Sequence, residues 1–371
     1  MIAGFFHRWE QRLADVSRHE RVVRPFDWGL DWMSPPGSAA VHEAAVSAAA
    51  ASARPAEPAD ADIRRWVESV MADTDAFFTP TPTDDYVFTP ATPELQAGGE
   101  AGTLTFPSGF RTPHAENNTV HARFFPANPL RAPRPGVAGP RRAVVVLAQW
   151  NSDAGGHVGL CKLLAKLGIA SLRISLPYHD QRMPPELTRA DYIVSSNIVR
   201  TLQVCRQAVM DVRLALWWLR DQGYDRLGLL GTSLGSCLAM LTGVHEPLVR
   251  AQALNHVSPY FGDVVWRGLS TEHVRRGLDG HVSLESLRDL WRPISPWSYL
   301  DRVHGRRTLL VYAKYDLTFP VDLSLLLVDE WRRRDPSLTV ASLPCGHYTT
   351  GEAPFKFIDG FHLGRFLARN L

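Results

Sequence analysis

Short apolar runs alternate with longer amphipathic stretches along most of the chain after residue 142. Each apolar run is rich in Val, Ile, Leu and Ala and is predicted to be a strand, whereas the stretches between them have helical periodicity. Continuous apolar strands joined by helices are typical of a parallel sheet that is buried on both faces. The predicted strands are 143–148, 169–175, 227–230, 250–255, 308–313 and 338–343, and the predicted helices are 156–167, 198–222, 234–244, 322–334 and 355–371.

The segment before this alternation adds a different kind of strand. Residues 104–106 and 120–125 alternate apolar and polar side chains between proline-rich turns, which is the pattern of antiparallel strands. We therefore expect residues 85–371 to form an α/β fold in which a mostly parallel sheet is flanked by helices.

Residues 1–84 are predicted to be an N-terminal extension, made of a helix and an Ala/Pro-rich covering segment. The apolar side chains of the first helix share one face, and we expect that face to pack against the main domain rather than to lie on a membrane surface. These side chains are Phe5, Phe6, Trp9, Leu13 and Val16.

The connection at residues 257–305 is too long for a simple crossover between two strands. It carries tryptophans and leucines at helical spacing, so we expect a helical cap over the carboxyl edge of the sheet. The aromatic side chains of this cap are expected either to face an apolar ligand or only to pack the cap against the core.

Ser233 lies in the pentapeptide Gly231-Thr232-Ser233-Leu234-Gly235. The predicted strand 227–230 precedes it and the predicted helix 234–244 follows it, so the serine is expected on a sharp strand-to-helix turn. Small residues on both sides are needed there, because larger side chains would clash around the exposed hydroxyl. This pattern predicts a nucleophilic serine.

A serine hydroxyl needs a base, and the base needs an acid to orient it. His347 follows the last predicted strand and is the candidate base, since the carboxyl end of a sheet is where it can reach Ser233. Asp316 follows the preceding predicted strand and is the candidate acid. Asp322 is the rival, but its position at a predicted helix start gives it a separate explanation. The chain order serine, aspartate, histidine is that of α/β-hydrolases.

An oxyanion formed at Ser233 needs fixed hydrogen-bond donors. The backbone N–H of Leu234 is the first candidate. The second is expected in the loop after strand 143–148, where Trp150 is placed by register and Asn151 is the alternative, although this loop departs from the usual His-Gly-x-Gly pattern. Polar and aromatic residues of nearby loops are further candidates for the substrate pocket: Tyr178, His179, His256 and Trp266.

Composition and motif content limit the partners, the cofactors and the cellular location that we expect. The 40 basic and 38 acidic residues give a net charge of +2, which argues against a nucleic-acid partner. No metal-ligand spacing and no Gly-rich dinucleotide motif are present, so neither a metal nor a cofactor is expected. The four cysteines show no paired spacing, no secretory signal is recognisable, and no run reaches the length of a transmembrane helix. A cytoplasmic location is expected, and the oligomeric state stays open.

The pentapeptide, Asp316 and His347 resemble the α/β-hydrolase superfamily, and the resemblance in fold covers about residues 100–371. Four phrases are also similar to a branch related to the eukaryotic α/β-hydrolase-domain proteins of the eighteenth subgroup, to which lipid deacylation is attributed. They are residues 149–156, 176–180, 255–260 and 343–350. The resemblance implies hydrolysis of a small-molecule or lipid ester through an acyl-enzyme. A peptidase, thioesterase or acyltransferase with the same triad, and a non-catalytic binding module, are the alternatives.

Overall fold

A computed structural model describes residues 2–16, 20–35, 37–40, 56–131 and 139–371, with side chains from residue 59 onward in the fourth of these ranges. Most of the Ala/Pro-rich covering segment predicted from the sequence, residues 41–55, lies outside the described residues.

Nine strands form one sheet in the order β1-β2-β3-β5-β4-β6-β7-β8-β9. The first three strands pair antiparallel, and β3 also pairs antiparallel with β5. All pairs from β5 through β4 to β9 are parallel, so the expected mostly parallel sheet is confirmed. The strands are β1 Val87–Pro90, β2 Gly102–Pro107, β3 Thr119–Phe125, β4 Arg142–Leu147, β5 Ala170–Ile174, β6 Arg226–Thr232, β7 Val249–Asn255, β8 Arg307–Ala313 and β9 Thr339–Leu343.

Helices cover both faces of the sheet, as the alternating pattern predicts. Within the described residues they are α1 Ile2–Asp15, α2 Ala56–Ala72, α3 Thr74–Phe78, α4 Pro93–Ala97, α5 Val158–Lys166, α6 Ile198–Asp221, α7 Leu234–His245, α8 Phe261–Arg267, α9 Glu272–Leu278, α10 Leu284–Leu290, α11 Val321–Arg334 and α12 Phe355–Asn370.

The core is divided by the sheet, because successive side chains of a strand point to opposite faces. In β4, Val145 and Leu147 pack on the face that also contains residues of α6, α7 and α11. Val144 and Val146 pack on the other face with residues of α5 and α12. Both faces of the sheet are therefore buried. This explains why the parallel strands are unbroken apolar runs in the sequence.

Strand β1 is the element that carries the least sequence signal. All four of its residues are exposed, and it ends at Pro90, a residue found on sheet edges because it has no N–H to donate. Without a buried face there is no alternation of apolar and polar side chains to recognise.

The connection between β7 and β8 contains α8, α9 and α10, followed by short 3₁₀ helices at Arg292–Ile294 and Pro296–Arg302. Leu287, Leu290 and Trp291 are fully buried in the core. The indole N–H of Trp291 donates to the Ile198 carbonyl at the start of α6, which ties this connection to the main domain.

Helix α1 packs against the main domain with part of its apolar stripe only. Phe6 stacks on Tyr315, with 4.8 Å between the ring centroids, and also contacts Phe355 edge-on. Phe5 and Val16, by contrast, are 53% and 73% exposed. The apolar stripe therefore contacts the main domain through Phe6, while Phe5 and Val16 are exposed.

Two further observations concern the cysteines and the possibility of a membrane-spanning helix. All four cysteines are free and buried. In the part of the chain that the structure describes, no helix combines the length and apolarity that a membrane crossing requires.

Candidate active site

Ser233 occupies a strained turn between β6 and α7. Its backbone has φ 57° and ψ −121°, a conformation that side-chain-bearing residues rarely adopt, and its N–H donates to the Asn255 carbonyl at 2.8 Å. A Cβ at Gly231 would lie 2.2 Å from the carbonyl oxygen of Gly235, and one at Gly235 would lie 2.3 Å from that of Leu147. Both positions admit only glycine, because the obstructing atoms belong to the backbone.

Loops after β8 and β9 bring Asp316 and His347 to this turn. The Nε2 atom of His347 lies 3.1 Å from Ser233 Oγ, and its Nδ1 atom lies 3.1 Å from Asp316 Oδ2. An ionised carboxylate only accepts hydrogen bonds, so Nδ1 carries the proton and donates it to Asp316, which leaves Nε2 as the acceptor for the Ser233 hydroxyl. The three sequence-predicted residues are thus in hydrogen-bond contact.

Backbone groups hold the aspartate in place. Asp316 Oδ1 accepts hydrogen bonds from the N–H groups of Thr318 and Phe319 at 2.7 and 2.6 Å. The rival Asp322 is exposed and forms an ion pair with Arg267. Asp322 therefore has no part in this cluster.

The charges of Asp316 and His347 stabilise each other. Burial disfavours ionisation of Asp316, but the electrostatic and hydrogen-bond contributions of His347 and His256 outweigh it and hold the pKa of this carboxyl well below its usual range. Burial likewise disfavours protonation of His347, yet Asp316, aided by the charge of Glu10, raises the pKa of this imidazole above its ordinary value. The aspartate thus stays ionised, and His347 holds a proton more firmly than a free imidazole does.

His256 is a second imidazole on the same carboxylate. Its Nδ1 atom lies 3.1 Å from Asp316 Oδ2, and its ring centroid lies 4.7 Å from that of His347. Burial lowers the pKa of His256, so this ring is neutral where His347 titrates. The sequence places His256 in the pocket, and the structure adds that it contacts Asp316.

The two candidate oxyanion donors of the loop after β4 differ in their hydrogen bonding. The N–H of Asn151 already donates to His179 Nε2 at 2.9 Å, and the Asn151 side chain accepts from the N–H of Ala190. Trp150 is anchored through its indole N–H, which donates to the Ala190 carbonyl. Because the Asn151 N–H is engaged, the backbone N–H of Trp150, together with that of Leu234, remains the predicted oxyanion site.

A cavity of about 1080 Å³ opens beside Ser233. Its walls come from the loop after β4, from the connection between β7 and β8, and from α5 and α12. Phe319 forms part of the wall and stacks on His347, with ring centroids 5.2 Å apart. Apolar lining residues include Leu160, Leu163, Val194, Phe261, Val264 and Val265.

Three of the four predicted pocket residues do not line this cavity. His256 is among the described residues that do, whereas Tyr178, His179 and Trp266 are not. Tyr178 is fully buried, and its hydroxyl lies 2.9 Å from His114 Nδ1. His179 Nε2 accepts a hydrogen bond from the backbone N–H of Asn151, and its Nδ1–H donates to the Pro177 carbonyl. Trp266 lies under the Arg275 guanidinium instead.

Residues missed by sequence reasoning include Phe319, Phe261 and Glu10. Nothing local distinguishes these two phenylalanines from other apolar residues. Glu10 is completely buried, and Tyr348 and Thr349 donate to its carboxylate. In the sequence, Glu10 is distinguished only as an acidic residue near the aromatic residues of α1. That position does not indicate a hydrogen-bond partner more than 330 positions away in the chain.

The side of the cavity formed by α5 and α12 contains buried polar groups. Asn255 donates through its side-chain amide to Asp359 Oδ2 at 2.8 Å, and His157 Nε2 lies 2.9 Å from Thr232 Oγ1. Burial raises the pKa of Asp359 to about 7 and lowers that of His157 to about 4. At neutral pH His157 is uncharged, and Asp359 is poised between its two protonation states.

Among the described residues, one group could supply three metal ligands. The side chains of His256, Asp316 and His347 place one ligand atom each within 4.8 Å of one another. In this arrangement the Nδ1 atom of His347 is occupied by its proton, which it donates to Asp316.

The fold is that of the α/β-hydrolases. An acetyl xylan esterase from Paenibacillus sp. superposes with a TM-score of 0.59 at 14% identity, covering 84% of this chain and 95% of that one. Acetyl xylan esterase 1 from Thermoanaerobacterium sp. gives 0.56 at 15% identity, covering 84% and 93%. An esterase from Pyrococcus furiosus gives 0.52 at 13% identity, covering 78% and 97%. The fold that the expected resemblance implies is confirmed.

A family model described as alpha/beta hydrolase domain containing 18 matches residues 157–259. This match includes β6, the Ser233 turn and two of the four similar phrases, 176–180 and all but the last residue of 255–260, and it bears out the resemblance to the eighteenth subgroup. No curated protein sequence matches the chain significantly.

Replacing Gly235 with alanine is expected to destabilise the protein by about 2 kcal/mol or more, because the added methyl group must displace the β4 backbone. Gly159 in α5 is the matched control, since a Cβ there meets nothing within 4 Å. Thermal unfolding of both variants tests this expectation. Equal melting temperatures for Gly235→Ala and Gly159→Ala would show that the turn is not tightly packed.

Asp359→Asn is expected to make stability less dependent on pH. The folded wild type keeps the Asp359 proton up to pH about 7, whereas the unfolded chain releases it near the ordinary value of 3.8. Folding therefore binds a proton between these values, and the free energy of unfolding falls as pH rises, by up to about 4 kcal/mol. Urea unfolding at pH 5 and pH 8 measures the part of this change that lies above pH 5, about 3 kcal/mol. Exposed Asp322→Asn is the control, and an identical pH dependence of wild type and Asp359→Asn would contradict the assignment.

Proposed function

We propose that this protein is a serine hydrolase that cleaves carboxylic esters through an acyl-enzyme on Ser233. The observation that carries the proposal is the continuous hydrogen-bond chain from the Ser233 hydroxyl through His347 to Asp316 at the wall of a single cavity. The fold shared with three esterases supports the choice of reaction class.

The first half of the reaction forms the acyl-enzyme. His347 Nε2 takes the proton of Ser233 as Oγ attacks the carbonyl carbon of the ester. The negative charge that develops on the carbonyl oxygen is received by the N–H of Trp150 in the loop after β4 and by the N–H of Leu234, which begins α7, where the helix dipole adds to the stabilisation. The protonated His347 then gives its proton to the departing alcohol.

The second half releases the acid. Water enters, His347 removes one of its protons, and the resulting hydroxide attacks the acyl carbon. Collapse of the second tetrahedral intermediate breaks the bond to Oγ, and His347 returns the proton to Ser233. Throughout, Asp316 stays ionised and keeps His347 in the tautomer that both halves require.

The lining of the cavity indicates which part of a substrate it accepts. Phe261, Val264 and Val265 of α8 contribute apolar side chains to the lining of the cavity that contains Ser233. An acyl chain loses contact with water on entering such a site, which favours binding by roughly 25 cal/mol per Å² of apolar surface. We propose that residues 257–305 act as the cap of the hydrolase domain 85–371, and that the acyl group of a small-molecule or lipid ester binds beneath it.

Other reactions with the same three residues are distinguished by the leaving group. Esters, thioesters and anilides of one acyl chain would separate the esterase from a thioesterase or a peptidase, and transfer to an added alcohol would identify an acyltransferase. The buried free cysteines agree with the cytoplasmic location that we propose.

Ser233→Ala is expected to lower turnover of a short p-nitrophenyl ester by at least about 10⁴-fold while leaving the fold intact. A fluorophosphonate should label the wild type at Ser233 and leave the variant unlabelled. Ser171→Ala makes the same chemical change at a buried position of β5 and should keep both properties. Labelling elsewhere, or none in the wild type, would favour a binding module over an enzyme.

The pH profile of kcat/KM should show an acidic limb with an apparent pKa above the ordinary 6.5 of histidine. His347 must be neutral to accept the serine proton, and the raised pKa keeps it protonated to higher pH, so activity is lost as pH falls through this value. Initial rates with one ester between pH 5 and 9 give the limb. A limb centred below pH 6 would be inconsistent with His347 as the base.

A further inference from the structure

Helix α1 contacts both loops that carry the base and the acid. On its inner face Glu10 is fully buried, and its two carboxylate oxygens accept the backbone N–H groups of Tyr348 and Thr349 at 2.9 and 2.7 Å. The hydroxyl of Thr349 donates to the same carboxylate at 2.8 Å. Three donors from the two residues after His347 therefore converge on one side chain of a distant helix.

The loop is built to let this carboxylate approach. A Cβ at Gly346 would lie 2.3 Å from Glu10 Cδ, so the residue before His347 leaves space that Glu10 fills. The Gly346 N–H donates to Thr349 Oγ1, which closes the loop around the carboxylate. Residues on both sides of His347 are thus fixed by, or packed against, Glu10.

The same helix reaches the loop of the aspartate. Phe6 stacks on Tyr315, the residue before Asp316, with ring planes 7° apart. The N–H of Tyr315 donates to the Cys345 carbonyl, so the two loops also bind each other beneath the helix. One turn of α1 therefore lies against the residues that neighbour Asp316 and His347.

We propose that Glu10 is a positioning residue for His347, and that helix α1 completes the active site by fixing the base relative to Ser233 and Asp316. The inference rests on the proposed function, because it assigns His347 the role of base. It gives the N-terminal extension a catalytic purpose that its sequence does not reveal.

Charge supplies a readout that a purely structural role would not change. The titratable groups that face His347 are Asp316 after β8, His256 after β7, Tyr348 beside it and Glu10 on α1, and Arg21 donates to the Tyr348 hydroxyl. Glu10 contributes to raising the pKa of His347. Loss of its charge should lower that pKa, whereas a variant that keeps the charge at this position should not.

Glu10→Gln is the test. The amide keeps one acceptor oxygen but directs an NH₂ group at a backbone N–H, so the loop must shift. We expect kcat for a p-nitrophenyl ester to fall by about 10- to 100-fold with KM within about twofold, because a displacement of about 1 Å in the base affects the reaction more than binding. The acidic limb of kcat/KM should move to lower pH.

Glu246→Gln is the matched control. Glu246 is also buried and also accepts three hydrogen bonds, from Arg213, Trp217 and the N–H of Leu248, and it is not among the described residues that line the cavity. Its variant should keep the kcat and the pH profile of the wild type. Glu10→Asp retains the charge but shortens the side chain, so it should lower kcat and leave the acidic limb in place.

Wild-type kcat and an unmoved acidic limb in folded Glu10→Gln would overturn the inference, as would equal losses in Glu10→Gln and Glu246→Gln. Full activity in Glu10→Asp would overturn it too. An inactive wild type that a fluorophosphonate fails to label would instead refute the proposed function, and the two failures are thereby told apart.

Discussion

The buried negative charge of Asp316 is the constraint on which the rest of the site depends. A carboxylate taken out of water stays ionised only if hydrogen bonds and nearby positive charge replace its hydration. Here two backbone N–H groups bind one oxygen, and the imidazoles of His347 and His256 lie on the other. Every one of these partners sits on a loop at the carboxyl edge of the sheet, so the conformation of that edge is coupled to a single charge.

This coupling explains why the surrounding loops are so closely connected. The backbone N–H of Tyr315, in the loop after β8, donates to the carbonyl of Cys345 in the loop after β9. The strained residue Ser233 donates its backbone N–H to the carbonyl of Asn255 at the end of β7. His256, at the same edge, has a left-handed backbone with φ 59° and bonds its N–H to the Val311 carbonyl of β8. Unfavourable backbone conformations at this edge are retained because the neighbouring strands hold them in place.

Helix α1 supplies a second buried carboxylate that binds backbone N–H groups of an active-site loop. Its buried carboxylate binds backbone N–H groups of the histidine loop, and an aromatic contact reaches the aspartate loop. The cavity beside them is apolar beneath α8, whereas it has the Asn255–Asp359 and His157–Thr232 pairs on the side of α5 and α12. The two sides of the cavity therefore differ in polarity.

The sequence by itself determined the order and type of the main elements and the local form of the Ser233 turn. Periodicity reports burial of a strand or a helix face, and the spacing of Gly231 and Gly235 reports close backbone approach, so both are local properties. The positions of Asp316 and His347 after successive strands followed from the rule that parallel strands end at one edge.

Tertiary structure alone decided which side chains face the cavity. Tyr178 and His179 follow a strand just as Asp316 does, yet the left-handed backbone of Tyr178 directs this loop into the core. Strand β1 is exposed on both faces, so its sequence has no alternation of apolar and polar residues that would predict a strand. The contacts of Glu10 and His256 join residues that are far apart in the chain. Such contacts depend on how irregular loops and distant helices pack, which local periodicity does not encode.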